Sequence, residues 1–392
     1  MTYEPRWKVI EAIGSGGQGR VNRVFDTKRF RTTEEFRKWF QYSLHRLSLE
    51  NPNASTYDED FERFQNSILT LVALQDPSQY CALKVLHKPE DARDSKSAED
   101  RIKKEIDAMA KVSHPNLLRV IDFDAEAKWF VSPFFSRGTL ASHMLLFTGE
   151  FVRSLRAIRP LVAGVAELHK SGIVHRDIKP QNVFLDQNGG LVLGDFGLVF
   201  FTDEKHSRIS NTFENVGSRD WMPAWAMGMR IEDIKPSFDV FSLGKLLWSM
   251  VSGLPVLRLW YFQRYQFNVE ELFPKAPFIQ FANVLFAKCI VEDEADCLKD
   301  ANALLLEIDN LLQRIEFNAD LIGPESTIRC KACGVGYYKI RADENDRTEV
   351  GSSFGFTKYG SVIYRIYTCT NCGNVQFFHL GFEHNPKFWQ KE

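Results

Sequence analysis

The chain lacks a charge of either sign to spare. Its 392 residues carry 49 Lys and Arg against 51 Asp and Glu, a formal net charge of −2. That balance gives no electrostatic ground for binding nucleic acid or an anionic membrane. A sustained apolar stretch is missing from the opening residues, MTYEPRWKVI, so nothing there reads as a secretory leader. The most apolar segment, residues 243–262, is broken by Lys245, Pro255 and Arg258, and it reads as a buried helix and its exit, not a membrane span. Internal repeats and low-complexity tracts are absent. Cysteines are few, seven in all, and they do not form a disulfide framework. Four make two CxxC pairs, at 330/333 and 369/372, while Cys81, Cys289 and Cys297 are scattered. The pattern suits a reducing compartment and one metal site, so a cytoplasmic protein with no membrane partner is expected. What the chain does have is length for two lobes plus an appendage, and 44% apolar residues to fill their cores.

Residues 5–27 alternate apolar and polar positions around a glycine cluster, as two strands joined by a turn do. Residues 80–86, YCALKVL, read as the next strand. Between them lie roughly fifty residues that a compact sheet does not need. There Phe36, Trp39, Phe40, Ser43, Leu44 and Leu47 recur at helical spacing behind a Thr32-x-x-Glu35 capping box. A second helix is predicted over 58–74, with Phe61, Phe64, Ile68, Leu71 and Val72 on one face, and Asn51-Pro52-Asn53 marks the turn. This helical insert, 28–78, either packs on the sheet and shields its edge or serves as a partner-docking arm. Further on, the pattern predicts a helix over 98–112 with Ile102, Ile106 and Met109 inward, then strands over 117–123 and 128–134. From Phe151 the chain reads as mostly helical to about Leu312, with Phe151, Leu155, Ile158, Val162 and Val165 on one face. A linker containing Gly323-Pro324 follows.

Gly14, Gly16, Gly19 and Val21 give the spacing GxGxxGxV, in which glycines let the backbone approach phosphates. A dinucleotide fingerprint would open a helix after its last glycine, whereas here the strand-like run 21–25 follows. Lys84 sits inside an apolar strand, where an ammonium is costly unless paired. Residues 175–182 read HRDIKPQN, and 195–197 read DFG. These runs hold a base, a lysine and two metal-binding side chains within about twenty residues, a set that few chemistries besides phosphoryl transfer require.

The ordered motifs resemble the catalytic core of the eukaryotic-like Ser/Thr protein kinases of bacterial type, over residues 7–312 with the insert outside the likeness. The resemblance implies an α+β, bilobal kinase fold: an N-lobe over 5–134, a C-lobe over 135–315, and a separate β module over 326–384. It implies ATP and Mg²⁺ as cofactors and a protein as substrate. Ala82 and Lys84 match the third strand, and Glu105 is the expected partner of Lys84. Asp177 would accept the substrate hydroxyl proton, Lys179 would neutralise the moving phosphoryl group, and Asn182 and Asp195 would hold Mg²⁺. Val21 would cover the base. The hinge would be 131–135, with Ser132 as a small gatekeeper, Pro133 offering its carbonyl, Phe135 its N–H, and Phe184 the adenine floor. His175, Phe196, Met109 and Val120 match the hydrophobic spine, and Asp239 the buried aspartate that anchors the catalytic loop. Arg176 makes the loop an RD type, with Ser207, Ser210 and Thr212 as candidate phosphosites and Glu214 as a candidate carboxylate in a phosphate's place.

One segment departs from the pattern. In GSRDWMPAW, residues 217–225, Trp225 stands where the family has a glutamate, and Cys297 stands where its arginine partner belongs. Both halves of a buried ion pair are therefore replaced, which argues for repacking and leaves the substrate-docking geometry open. Ser218 keeps the hydroxyl of the family's threonine. The rival from another class is an ATP-binding pseudokinase scaffold; a small-molecule phosphotransferase is a second, disfavoured by Lys179 and Asp239.

In the tail, Cys330, Cys333, Cys369 and Cys372 form two CxxC-Gly knuckles that resemble a zinc ribbon. Zn²⁺ is the expected ion, with an iron–sulfur or redox pair as the alternative. The predicted strands are 335–340 and 361–367. From 327 to 392, nine Lys and Arg face six Asp and Glu. Protein docking, nucleic-acid contact and stabilisation alone all remain open for this module.

Overall fold

The computed structural model describes residues 6–16, 19–29, 80–86, 105–124, 128–197, 199–201, 219–227, 233–319, 325–340, 348–349 and 363–379, with Tyr3, Lys38, Lys103 and Glu126. The chain divides into two compact units, Met1–Ser142 with Lys170–Thr212, and His143–His169 with Phe213–Glu392.

In the first unit the alternating N-terminal sequence builds five antiparallel strands: β1 (Trp7–Gly16), β2 (Gly19–Asp26), β3 (Tyr80–Leu86), β4 (Asp122–Phe123) and β5 (Trp129–Pro133). Their order in the sheet is β1-β2-β3-β5-β4. Strand alternation sends Trp7, Val24, Cys81, Leu83, Trp129 and Val131 to one face, where all six are buried together. Each of these large side chains contributes about 1.5–3 kcal/mol by leaving water. The register pairs Val21 with Lys84, Lys84 with Phe130 and Ala82 with Ser132, which gathers the chemically marked residues on the other face. Arg6 bridges Asp26 and Asp122 at 3.1 and 2.8 Å, closing the edge. Residues 105–111 are helical, with Ile106 and Met109 buried as expected.

Two short hairpin-like pairs follow: β6 (Ile173–Val174) with β9 (Phe200–Phe201), and β7 (Val183–Leu185) with β8 (Leu191–Leu193). They explain a shortened strand. The pattern over 117–123 predicts one strand, yet only Asp122–Phe123 joins β5. Leu118 N–H donates instead to Leu193 C=O at 2.7 Å, and Leu193 N–H donates to Asn116 C=O at 2.8 Å, so the start of the run is taken by β8.

The second unit contains α1 (Phe151–Lys170, its last residue belonging to the first unit), α2 (Ser237–Ser252), α3 (Val269–Leu272), α4 (Gln280–Phe286) and α5 (Ala301–Ala319). The five residues expected on the inner face of α1 are all buried. Helix α2 is buried at every position, and its polar residues, Asp239, Ser242 and Lys245 among them, are buried with the rest. It stops at Gly253, whose φ of 71° lies in the left-handed region that ends helices. Helix α5 runs past the expected end at Leu312, because Ile315 continues the buried row of Leu304, Ile308 and Leu311. The tail forms β10 (Glu325–Arg329), β11 (Tyr337–Ile340), β12 (Thr348–Glu349), β13 (Ile363–Cys369) and β14 (Val375–His379). Their order is β10-β11-β13-β12, with β14 also on β13. The predicted tail strands correspond to β11 and β13; β10, β12 and β14 were not anticipated.

The expected helices of the 28–78 insert, Ile102, the linker at 323–324, and Ser207, Ser210, Thr212, Glu214 and Ser218 lie outside the described residues. Among the described residues, no helix is long and apolar enough to cross a membrane.

Candidate active site and candidate metal centre

The first unit brings the predicted chemical residues together. Lys84 Nζ donates to Glu105 Oε2 at 2.8 Å and lies 3.7 Å from Asp195 Oδ1. It also sits 5.6 Å from the Phe130 ring centre, a cation–π contact that sequence reasoning missed. Burial alone would lower the Lys84 pKa, but the charges of Glu105 and Asp195 outweigh it and hold the ammonium above its ordinary range. Burial pushes the Glu105 carboxyl up while Lys84 pulls it down. The 2.8 Å contact and the lysine's retained charge make this a charged pair.

Asp177 is almost wholly buried. Its carboxylate accepts from Lys179 Nζ at 2.9 and 2.8 Å and from Asn182 Nδ2 at 2.8 Å. The same Nδ2 donates to Asp177 C=O at 2.8 Å. Both N–H atoms of Asn182 are thus committed to Asp177, and its carbonyl oxygen is the part left for a cation.

Four hydrogen bonds then close a ring through both motifs. Asp177 N–H donates to His175 Nδ1 at 3.3 Å, which makes Nδ1 the bare nitrogen and puts the ring proton on Nε2. His175 Nε2 donates to Gly194 C=O at 3.2 Å. Gly194 N–H donates to Asn182 C=O at 2.8 Å. The bond from Asn182 Nδ2 to Asp177 C=O completes the circuit. Inside it, Arg176 and Asp195 adopt φ of 67° and 57°, a left-handed conformation that non-glycine residues seldom take. Phe196 is buried edge-on to His175, with ring centres 5.0 Å apart. Met109 is buried and Val120 half-buried.

The residues expected to line a nucleotide site are placed as follows. Val21, Ala82, Lys84 and Ser132 share one face of the sheet. A Cβ at Gly14 would meet nothing within 4 Å among the described residues, so no packing among them requires glycine there. Gly16 pairs with Gly19 across the turn of β1 and β2. Pro133 ends β5, and the Phe135 ring stacks on Phe184 at 5.3 Å and 16°. Two further residues hold the site's surroundings in place. Asn116 Nδ2 donates to Leu191 C=O at 2.8 Å, tying its turn to β8. Gly194 is packed so closely that a Cβ there would lie 2.7 Å from Phe184 Cε2.

In the second unit, Asp239 is fully buried and accepts from His169 Nε2 at 2.9 Å. The two replaced residues make separate contacts. Trp225 stands edge-on to Phe241 at 5.2 Å. The Cys297 thiol points at the carbonyls of Ser237 and Cys289, 3.7 and 3.5 Å away, and burial pushes its pKa to about 12.

The four tail cysteines converge, with every Sγ within 4.8 Å of the others. Cys330 and Cys372 are 3.8 Å apart, Cys333 and Cys369 3.7 Å. A tetrahedron with metal–sulfur bonds of about 2.3 Å has edges of about 3.8 Å, so the spacing fits a four-thiolate ion such as zinc. Gly334 and Gly373, at φ of 70° and 69°, turn each knuckle. Amides of Gly336 and Asn371 reach the sulfurs of Cys333 and Cys369 at 3.5 and 3.3 Å. Burial pushes all four thiols up; at Cys330 and Cys333 hydrogen bonds, the first from Tyr338 and Asn371 respectively, overcome it and bring Cys333 to about 6, while Cys369 and Cys372 stay raised. The tail touches α3 and α5 through Arg329 with Glu270, and through Arg314 with Asn371 at 3.0 Å.

A model of the protein kinase domain matches residues 66–281, more than half of the chain. Serine/threonine-protein kinase CHK1 of Saccharomyces cerevisiae is 33% identical over 183 residues, 45% of this chain and 34% of the yeast protein. Ribosomal protein S6 kinase alpha-6 of Mus musculus is 32% identical over 185 residues, 45% of this chain and 23% of its own length. Aurora kinase A-A of Xenopus laevis is 29% identical over 177 residues, 44% and 41% of the two chains. The chain spans less than half the length of each of these relatives. The match to the domain model begins beyond the glycine turn, which is placed here by the pairing of Val21 with Lys84.

Proposed function

This chain belongs to the protein kinase domain family, and from that premise we propose that it is a serine/threonine protein kinase, moving the γ-phosphoryl group of Mg-ATP to a protein hydroxyl. The observation that carries the reading is the joint arrangement of Lys84–Glu105, Asp195, and Asp177 bound by Lys179 and Asn182, all within one unit. When bound, ATP supplies the phosphoryl group and Mg²⁺ the countercharge. Lys84 grips the phosphates, and Glu105 fixes its ammonium. Asn182 and Asp195 offer the hard oxygen ligands that Mg²⁺ takes. Asp177 orients the substrate hydroxyl and receives its proton, and Lys179 neutralises the transferred group. Serine/threonine choice follows from Lys179 and from the names of the relatives.

The bounds 5–134, 135–315 and 326–384 remain our division into N-lobe, C-lobe and ribbon. The ribbon would hold one Zn²⁺ on Cys330, Cys333, Cys369 and Cys372, and serve protein docking or regulation of a cytoplasmic enzyme. Purified protein incubated with labelled ATP and Mg²⁺ tests the reading. Asp177→Asn should lower transfer by on the order of 10²–10⁴-fold and spare nucleotide binding. Transfer retained by that variant refutes the assignment; tight nucleotide binding by a wild type that transfers nothing points to the scaffold.

A further inference from the structure

Lys245 is a charged residue at the centre of the most buried helix of the second unit, and the mechanism does not use it. The residue is only 2% exposed. Burying an ammonium costs several kcal/mol unless donors and charges are matched. Its partners are specific: Nζ donates to Asp220 C=O at 2.5 Å and to Leu257 C=O at 3.0 Å, and lies 4.7 Å from the Phe241 ring centre. Asp220 belongs to the segment 219–227, which ends the departing stretch described above, and Leu257 belongs to the chain leaving α2. Two other contacts converge on this segment. Ser242, one turn before Lys245, donates to Trp221 C=O at 2.9 Å, and Trp225 rests on Phe241. No ion pair joins positions 225 and 297; the segment is held by α2 through side chains aimed at its backbone.

We propose that Lys245 is a positioning residue that clamps segment 219–223 to α2 and so sets the geometry in which the protein substrate docks. The proposal rests on the kinase reading for its catalytic half only; the clamp itself is a statement about the second unit. Backbone carbonyls as acceptors suit the task, because they hold the path of the segment whatever side chains it carries. Burial pulls the Lys245 ammonium down to about 7, opposed by Asp220, so keeping the charge here has a cost. An apolar side chain would fill the same space without that cost.

Lys245→Met, nearly isosteric, is the test, in the full chain. Hydrogen exchange at amides 219–223 should rise about tenfold or more, as the loss of a charged hydrogen bond implies, with amides of α1 unchanged. KM for a protein substrate should rise about tenfold while KM for ATP stays within about twofold, and Lys245→Arg should recover part of the loss. Unchanged exchange at 219–223 overturns the clamp whatever the activity. Raised exchange with an unaltered protein KM overturns its role in docking. A wild type without phosphoryl transfer overturns the kinase reading instead, and the exchange result still decides the clamp. Should Lys245→Met not fold, Lys245→Leu, which likewise removes the N–H donors, carries the same comparison.

Discussion

Adding one methyl group at Gly194 should damage the proposed nucleotide site, and trimming the ring it strikes should repair it. The backbone there is not in the left-handed region, so alanine is allowed conformationally. The obstacle is steric: its Cβ would lie 2.7 Å from Phe184 Cε2 and 3.2 Å from Leu118 Cδ2. Phe184 cannot swing away freely, because it stacks on Phe135 at 5.3 Å. Overpacking of this kind costs about 1–3 kcal/mol, and the smaller entropy of unfolded alanine returns about 0.4–1 kcal/mol. Gly194→Ala should therefore lose about 1–2 kcal/mol, a fall of several degrees in Tm for a unit of this size. Nucleotide affinity should fall with it, since Phe184 is the floor of the proposed adenine site. Phe184→Leu removes the clashing edge. In the double variant the two defects should compensate, with a coupling of about 0.5–3 kcal/mol. Thermal melts and nucleotide titrations of the four proteins measure the cycle. Full stability and affinity in Gly194→Ala alone, or strict additivity in the double variant, would refute the reasoning.

Glu105→Gln leaves Lys84 buried beside Asp195 alone, so melting should show a loss of about 3–5 kcal/mol, the cost of breaking a buried pair, and labelled-ATP assays a drop in transfer. The pKa of Lys245 is depressed from 10.5 to about 7, so above pH 7 the unfolded chain binds more protons than the folded one. Stability of the wild type should then rise from pH 7 to pH 9 relative to Lys245→Met, by about 2 kcal/mol at 1.4 kcal/mol per unit, read from melts across that range; parallel curves would contradict it. Elemental analysis should find about one zinc per chain, and Cys369→Ser or a strong chelator should release it and raise amide exchange over β13 and β14, as expected where metal binding supplies the folding energy.

The chemistry was legible because it is local. HRDIKPQN and DFG are short runs whose residue types at that spacing serve few purposes besides phosphoryl transfer, and the fold brings their side chains to one place. The strands β1, β2, β3 and β5 were legible from alternation. The strand over 117–123 was overread, since no local pattern tells that Leu118 will pair with Leu193 instead of β5. Helix α5 was underread at its end, where Ile315 extends the apolar row. Lys245 could be seen only as a charge interrupting an apolar run. Its acceptors are the carbonyls of Asp220 and Leu257, and a backbone acceptor leaves no mark in the sequence. Gly194 was silent for a related reason: its constraint is the bulk of Phe184, ten positions earlier.

The two motifs behave physically as one object. Arg176 and Asp195 each hold a left-handed backbone, at about 1–3 kcal/mol apiece, or about 4 kcal/mol together. Nothing in either motif alone would offset that. The four bonds of the ring through His175, Gly194, Asn182 and Asp177 contribute about 1 kcal/mol each, which matches the strain. Every bond in the ring has a backbone group at one end, so it fixes chain path before it fixes any reactive atom. The strain has a use: a residue in an extended or right-handed conformation would aim its side chain elsewhere, and Asp195 at φ of 57° is the residue whose carboxylate stands 3.7 Å from Lys84. The aspartate proposed to accept the proton and the aspartate proposed to face the metal are thereby set by one circuit. A loop with the same side chains but without His175 and the Gly194 carbonyl would keep the reactive groups and lose their placement, and placement is most of what phosphoryl transfer asks of a protein.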